Sequence, residues 1–289
     1  MMLAKQLRWT LLFALALIWG SSFILIKKGL VGLSPYQLGA LRIIFTSLFL
    51  LLIGFKSLTE IKHFQWKYIV ITALFGTFIP AFLFAVAETK VSSSICSILN
   101  SLTPLNALLI GIVGFGLAFK RSQFIGVVIG LFGTAVLIFN GKQENSNENY
   151  TYALLVIIAS ICYALNVNLI KKYLSDVKPL CITTGNFTVM LIPALIVLFS
   201  TNFFEIVYLP ATRHSMLFII ILGIVGTGVA NILFFKLIQI SSPVFASSVT
   251  YLIPIVAFFW GLLDNEMLTP FQFFGAFIIL VGVYLANRK

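Results

Sequence analysis

The sequence predicts an all-α membrane protein, with ten transmembrane helices arranged as two inverted five-helix repeats. Three observations lead there. Hydrophobic residues fill 60% of the 289 positions and charged ones only 9%, against roughly 45–50% and about 25% in a soluble domain. Apolar stretches long enough to cross a hydrocarbon core, ~17–25 residues each, keep recurring along the chain. And the tetrapeptide LIKK at 25–28 returns at 169–172, an offset of 144.

Composition also excludes. The net charge of +11 is spread between apolar runs instead of forming one stripe, so no nucleic-acid partner is expected and the lipid bilayer is the surrounding medium. Cys96, Cys162 and Cys181 lie within or at the start of apolar segments, with neither disulfide-framework nor zinc-ligand spacing, and read as packing residues. The N-terminal MMLAKQLR and the apolar run behind it imitate a signal peptide. That run continues to Lys27 and Lys28 without a small-residue cleavage pattern, which favours a retained first helix.

Hydropathy places spans near 9–27, 36–55, 67–88, 92–116 and 122–140, then near 151–170, 180–200, 215–238, 243–263 and 270–286. Between the two sets GKQENSNENY (141–150) is polar without apolar periodicity and reads as a solvated linker. The expected organisation is a first repeat over 1–140, the linker 141–150 and a second repeat over 151–289.

The repeat does not rest on LIKK alone. At the same offset Leu30 meets Leu174, Pro35 meets Pro179, Trp19 meets Tyr163 and Ser22 meets Asn166. At an offset of 150, residues 76–111 lie over 226–261 without a gap and share ten of thirty-six positions, among them Gly76/Gly226, Thr77/Thr227, Pro104/Pro254 and Gly111/Gly261. Five spans per copy is an odd number, so the second copy enters the membrane from the opposite side. The lysine pair then marks the same helix end on opposite faces.

Basic residues set the orientation. With the N-terminus in the cytoplasm, the inside receives Lys5, Arg8, Lys56, Lys62, Lys67, Lys120, Arg121, Lys171, Lys172, Lys178, Lys236, Arg288 and Lys289. The outside receives Lys27, Lys28, Lys90, Lys142 and Arg213. Both termini are therefore expected in the cytoplasm.

Inverted repeats allow two pseudo-equivalent halves to exchange roles, which is the architecture of alternating access and puts a solute site near the midplane. IWGSSFILIKKGL, the following SPYQLGALR, SSSICSILNSLTPLNALLIG and the closing SSPVFASSVTYLIPIVAFFWGLLDNEMLTPFQFFGAFIILVGV resemble the EamA-type branch of the drug/metabolite transporter superfamily along nearly the whole chain. Glu266 stands at that family's expected acidic position, whereas the equivalent first-copy position is Leu117. The resemblance implies a bacterial-type inner-membrane carrier of a small organic metabolite, amino-acid-like or amphipathic and cationic. A channel-like facilitator or a lipid translocator is the alternative. No metal or organic cofactor is implied, and no enzyme: His63 and His214 fall in loops on opposite sides, and no nucleophile or phosphate-cradling motif is present.

The candidate solute contacts follow from helical spacing. Ser97 and Asn100 share a face ahead of Pro104, and Thr250, with Tyr251 beside it, precedes Pro254; mid-helix prolines there free a carbonyl and kink the span. Trp19 and Ser22, with their counterparts Tyr163 and Asn166, twice set an aromatic ring near a polar group, suited to an amphipathic or cationic solute. Asn231 is an amide at membrane depth and should face protein or water. Arg42, inside the second span, either faces the interior or snorkels to the interface. Glu88, Lys27 and Lys28 are candidates for coupling or gating. Gly126, Gly130 and Gly133 form a small-residue face that either packs within the chain or, with Gly275 and Gly282 of the tenth span, makes a homodimer seam; monomer and homodimer both stay open.

Overall fold

The computed structural model describes residues 2–116, 125–126, 128–130, 132–133, 136, 150–265 and 270–287. Most of the predicted fifth span, positions 141–149 of the linker, Leu117 and Glu266 lie outside the described residues. Among the described residues the chain is helical, and eight helices are long and apolar enough to cross a membrane. They are α1 (Gln6–Gly29), α2 (Pro35–Glu60), α3 (His63–Ala87), α4 (Ser93–Phe115), α5 (Ala153–Tyr173), α6 (Pro179–Phe199), α7 (Pro210–Ile240) and α8 (Pro243–Leu263). A further helix, α9 (Pro270–Asn287), is the predicted tenth span.

Helix starts follow local chemistry. Ser34 caps α2 in a capping box: its hydroxyl accepts from the Gln37 N–H at 3.3 Å while Gln37 Oε1 accepts from the Ser34 N–H at 2.9 Å, with Pro35 at the first helical position. Ser92 caps α4 and Ser242 caps α8 by accepting from Ile95 N–H and Phe245 N–H. Those two caps stand 150 residues apart, at aligned positions of the two copies.

Two pairs of spans depart from regular α-helix at aligned places. In α3 the stretch Leu74–Phe78 is a π-helix, and in α7 so is Leu222–Val229. Each contains the Gly-Thr pair, Gly76–Thr77 and Gly226–Thr227. Similarly, α4 breaks at Ser101 and Leu102 just ahead of Pro104, and α8 tightens to a 3-10 turn over Ser248–Tyr251 ahead of Pro254. Proline has no N–H to offer the carbonyl four residues back. At Pro104 that carbonyl belongs to Asn100, and Thr103 Oγ1 donates to it at 2.7 Å.

The two copies interlock. Helix α1 packs on α7 and α8 of the second copy, while α5 packs on α3 and α4 of the first. Trp260 Nε1 donates to Ser21 Oγ at 2.9 Å across α8 and α1. Asn106 Nδ2 donates to Ser160 Oγ at 2.7 Å across α4 and α5, and Asn168 Nδ2 reaches the Ala107 carbonyl at 2.9 Å. Helix α7 then relates the two lysine pairs. Near its start Ser215 Oγ donates to the Lys28 carbonyl at 3.2 Å, and at its end Lys171 Nζ donates to the carbonyls of Ile238, Gln239 and Ser241. The 31 residues of α7 span ~46 Å at about 1.5 Å per residue. The pairs thus occupy opposite ends of a membrane-long helix.

The glycine face of the predicted fifth span is used inside the chain. A Cβ on Gly282 of α9 would stand 2.4 Å from Gly130 N, and one on Gly133 would stand 2.7 Å from Ile279 N. These backbones meet directly, so an association between copies through the same two helices would have to use their other faces.

Close approach also governs the turn from α1 to α2. A Cβ on Gly32 would lie 2.5 Å from the Ala211 carbonyl carbon and oxygen, which no rotamer change relieves. Gly114, with nothing within 4 Å of its would-be Cβ, is the control. Gly32→Ala is expected to cost ~1–3 kcal/mol and Gly114→Ala under about 0.5 kcal/mol. Melting curves of the two purified variants in one detergent check this, and equal melting temperatures would contradict it.

Candidate solute-binding site

The paired deformations converge on one cavity of about 90 Å³ between the two copies. Its wall includes residues of α1, α2, α3, α4, α5, α7 and α8. Of the contacts expected from sequence, Trp19, Ser22, Asn100, Tyr163, Asn166, Asn231 and Thr250 line it, and so does Arg42.

Equivalent contacts hold the wall on both sides. A Cβ on Gly76 would lie 2.4 Å from Asn166 Nδ2, and a Cβ on Gly226 would lie 2.9 Å from Ser22 Oγ. Each π segment therefore supplies a glycine gap into which the polar residue of the opposite copy's first helix fits. Trp19 Nε1 also donates to the Gly226 carbonyl at 3.0 Å, which satisfies the indole and fixes its ring. Asn166 is treated differently: its Oδ1 is buried and meets no hydrogen-bond donor among the described residues. Leaving a buried acceptor unmet costs ~1–3 kcal/mol.

Rings make up the apolar part of the wall. Trp19 stands edge-on to Phe234 with centroids 4.8 Å apart, Phe23 is edge-on to Phe84 at 5.7 Å, and Phe84 stacks against Tyr163 at 6.0 Å. Phe23, Phe84 and Phe234 were not among the predicted contacts. Their signal was present in the helical spacing of Phe234 with Thr227 and Asn231, but phenylalanines are too common here, with 29 in the chain, for spacing alone to single them out.

Arg42 takes the inward alternative. Its Nε donates to Thr227 Oγ1 at 2.7 Å, and Thr227 Oγ1 donates in turn to the Leu222 carbonyl at 2.9 Å, five residues back in the π segment. A charge at the bilayer centre costs roughly 2.5–3.5 kcal/mol on insertion scales, so a guanidinium here needs a polar surrounding. The neighbouring Thr46 Oγ1 fills the Gly223 carbonyl at 2.7 Å. At the aligned position of the second copy, 144 residues on, stands the neutral Asn186, whose amide lies 3.1 Å from Thr72 Oγ1.

Two expected contacts lie off the cavity. The hydroxyl of Ser97 turns back to donate to the Ser94 carbonyl at 2.6 Å and is fully buried. Tyr251 follows Thr250 by one residue, so it points to another side of the turn and packs against the hydrophobic core. Glu88 also stays out of the wall; it ends α3 and its Oε2 accepts from Ser93 Oγ at 2.8 Å.

Lys27 and Lys28 belong to an ion-pair cluster at one end of the bundle. Lys27 Nζ lies 2.7 Å from Asp264 Oδ2, and Lys28 Nζ binds Asp264 Oδ1. Asp264 was not singled out from sequence, because nothing local shows that the ends of α1 and α8 meet. Hydrogen bonds from Lys27 and Lys28 hold its carboxyl below the ordinary carboxylate range. A depressed carboxylate contributes stability above its unfolded pKa and loses it as pH falls through the lowered folded value, so the cluster stays intact at neutral and mildly acidic pH. At the other end, Lys172 lies over the Phe115 ring at 4.9 Å, and the first-copy positions that the offsets of 150 and 149 set against Asp264, Gly114 and Phe115, are both uncharged. Among the described residues the lysine–carboxylate cluster of Lys27, Lys28 and Asp264 is not repeated at Lys171 and Lys172; a separate pair, Lys178 with Glu60 at 2.8 Å, joins α6 to the end of α2.

Eight helices long and apolar enough to cross a membrane, enclosing a polar, ring-lined cavity, are the construction of an integral membrane protein. The chain belongs to the EamA-like transporter family, whose model matches residues 8–139 and again 150–288. It is therefore a membrane transporter. Similar proteins include the inner membrane transporter YedA of Escherichia coli (strain K12), 27% identical over 282 residues, covering 96% of this chain and 89% of that protein. The S-adenosylmethionine/S-adenosylhomocysteine transporter of Chlamydia muridarum (strain MoPn / Nigg) is 25% identical over 289 residues, covering 96% and 91%. One solved crystal structure shares the fold with a TM-score of 0.64 at 15% identity, covering 96% of this chain and 95% of its own.

The wall makes a mutational prediction. Trp19→Ala removes both a ring and the bond to Gly226, and Asn166→Ala removes the amide over Gly76. Each is expected to abolish uptake while the protein still reaches the membrane. Transport assays normalised to membrane-fraction immunoblots check it; unchanged kinetics in both variants would dismiss this cavity as the solute site.

Proposed function

We propose that this chain is a secondary transporter that moves a small amphipathic organic metabolite across the cytoplasmic membrane by alternating access. Its ten spans form two inverted five-helix repeats, 1–140 and 151–289, with both termini in the cytoplasm. The observation that carries the reading is the pairing of Gly76 with Asn166 and of Gly226 with Ser22 around one cavity. Aligned residues of the two copies make aligned contacts, so the bundle can rock about its centre and trade one open end for the other with little net change in packing. The placement of the two lysine pairs at opposite ends of α7 supports the inversion.

The chemistry of the wall supports the solute class. Aromatic faces give it an apolar body to hold, and amide and hydroxyl groups give direction. A relative named for S-adenosylmethionine and S-adenosylhomocysteine takes solutes that join an aromatic base to an amino-acid head, the same two-part character.

With the N-terminus inside, the tie between Lys27, Lys28 and Asp264 closes the outer end, because opening outward must part the tips of α1 and α8. The lysines are 36% and 42% exposed, so the tie is worth only ~0.2–1 kcal/mol per pair. That is enough to bias two states of nearly equal energy without locking either.

Two measurements test the reading. In proteoliposomes a carrier shows saturable uptake stimulated by solute trapped on the far side; flux that neither saturates nor exchanges would make the protein a channel-like facilitator. Asp264→Asn is expected to raise by about two- to five-fold the rate at which an impermeant thiol reagent, added outside, labels a cysteine placed at Thr250 in a background without Cys96, Cys162 and Cys181. No change in labelling would remove the outer tie from the mechanism.

A further inference from the structure

We propose that the transported solute carries a carboxylate, and that the carboxylate docks on the terminal N–H groups of Arg42. The inference rests on the carrier reading and narrows it. It replaces the choice left open by ring-face attraction, which suits cations, with a requirement for an anionic head.

Four features of the cavity point the same way. Arg42 is the one charged side chain among the described residues that line it. Its guanidinium is fixed by one edge: Nε is spent on Thr227 Oγ1, which is itself anchored to the Leu222 carbonyl. The two terminal nitrogens are left to the cavity, and a guanidinium presents its N–H groups in a planar fork that matches a carboxylate in two-point contact. No carboxylate among the described residues pairs with it. The described ion pairs use Asp264 and Glu60, and Glu88, whose charge Arg42 feels, lies outside the cavity wall.

A cation held in a low-dielectric site with no described carboxylate in contact favours an incoming anion and opposes an incoming cation. The asymmetry between the copies sharpens the point. Arg42 aligns with Asn186, which is neutral and buried, so the cavity has one positive wall and the solute enters with one orientation. The carboxylate lies toward α2 and α7, and the apolar body lies against the rings of Trp19, Phe234, Phe84 and Tyr163.

Three probes with one aromatic body separate the chemistries: 3-phenylpropanoate has the carboxylate alone, phenylalanine has carboxylate and amine, and phenethylamine has the amine alone. Binding to the purified full-length protein is read by thermal shift and calorimetry in detergent, where no transport is needed. The expected result is that the first two bind, phenethylamine does not, and Arg42→Gln weakens both carboxylates at least ten-fold. Thr227→Val, which keeps the charge but frees Nε, should weaken them less. If Arg42→Gln does not fold, the probe series on the unaltered protein decides alone. Binding of the amine equal to that of the carboxylates, no response to either carboxylate, or carboxylate binding untouched in Arg42→Gln would each overturn the proposal. Arg42-dependent carboxylate binding without counterflow in proteoliposomes would sink the carrier reading and leave this one standing.

Discussion

The interior of a membrane offers no water to a backbone carbonyl that has lost its helical partner, so any departure from regular helix must be met by protein or by solute. This constraint organises the centre of the molecule. In the π segment of α7 and the proline-broken stretch of α4, four carbonyls accept side-chain hydrogen bonds: Gly223 from Thr46 and Gly226 from Trp19 on other helices, and Leu222 from Thr227 and Asn100 from Thr103 on their own. The side chains that meet them are thereby held in place around a cavity. Irregular backbone is tolerated where it lines such a space.

Under the proposed alternating access, that arrangement would couple binding to motion. Trp19 ties α1 to α7 through the same carbonyl that the π turn releases, and Arg42 ties α2 to α7 through Thr227. A solute that competes for these side chains acts on three helices at once. A ligand shifts an equilibrium only by its differential affinity for the two states, and side chains that bridge moving helices are where such a difference arises.

Much of the layout was legible in the sequence because the membrane imposes a simple length rule and because duplicated segments can be aligned by offset. Apart from the fifth span, most of which lies outside the described residues, the spans agree with the helices within about five residues, the largest differences being the later end of α2 at Glu60 and the earlier start of α7 at Pro210. The polar wall was also readable, since an Asn at membrane depth must face protein or water. What remained hidden depends on how helices from different copies meet. Ser97 shares a helical face with the cavity-lining Asn100, yet it sits nearly a turn earlier, fully buried, and its hydroxyl is spent on the Ser94 carbonyl. Inward and interfacial placements of Arg42 looked alike because a long side chain can reach either from the same Cα. The partnership of Asp264 with the lysine pair depends on two helix ends brought together over more than two hundred residues of chain. The alignment of Arg42 with Asn186 was available at the offset of 144, but its meaning appears only with Thr227 and Thr72 in view.

Those mismatches between the copies have a common consequence. A perfect inverted duplicate would place its two open states at equal energy and leave its site without polarity. Here the duplicate is broken twice: at the centre, where the counterpart of Arg42 by sequence offset is the neutral Asn186, and at one end, where Asp264 binds Lys27 and Lys28 while an uncharged residue stands at the matching place. The first break gives the cavity a charged side at Arg42. In the proposed alternating-access carrier, the second would weight one end of the rocking motion against the other by a few RT at most, since a half-exposed pair is worth only ~0.2–1 kcal/mol. Breaks of that size leave exchange between the states rapid, while changes of several kcal/mol would trap the molecule in one of them. In the carrier proposed above, small departures from symmetry at the site and at one mouth would set a preferred resting state.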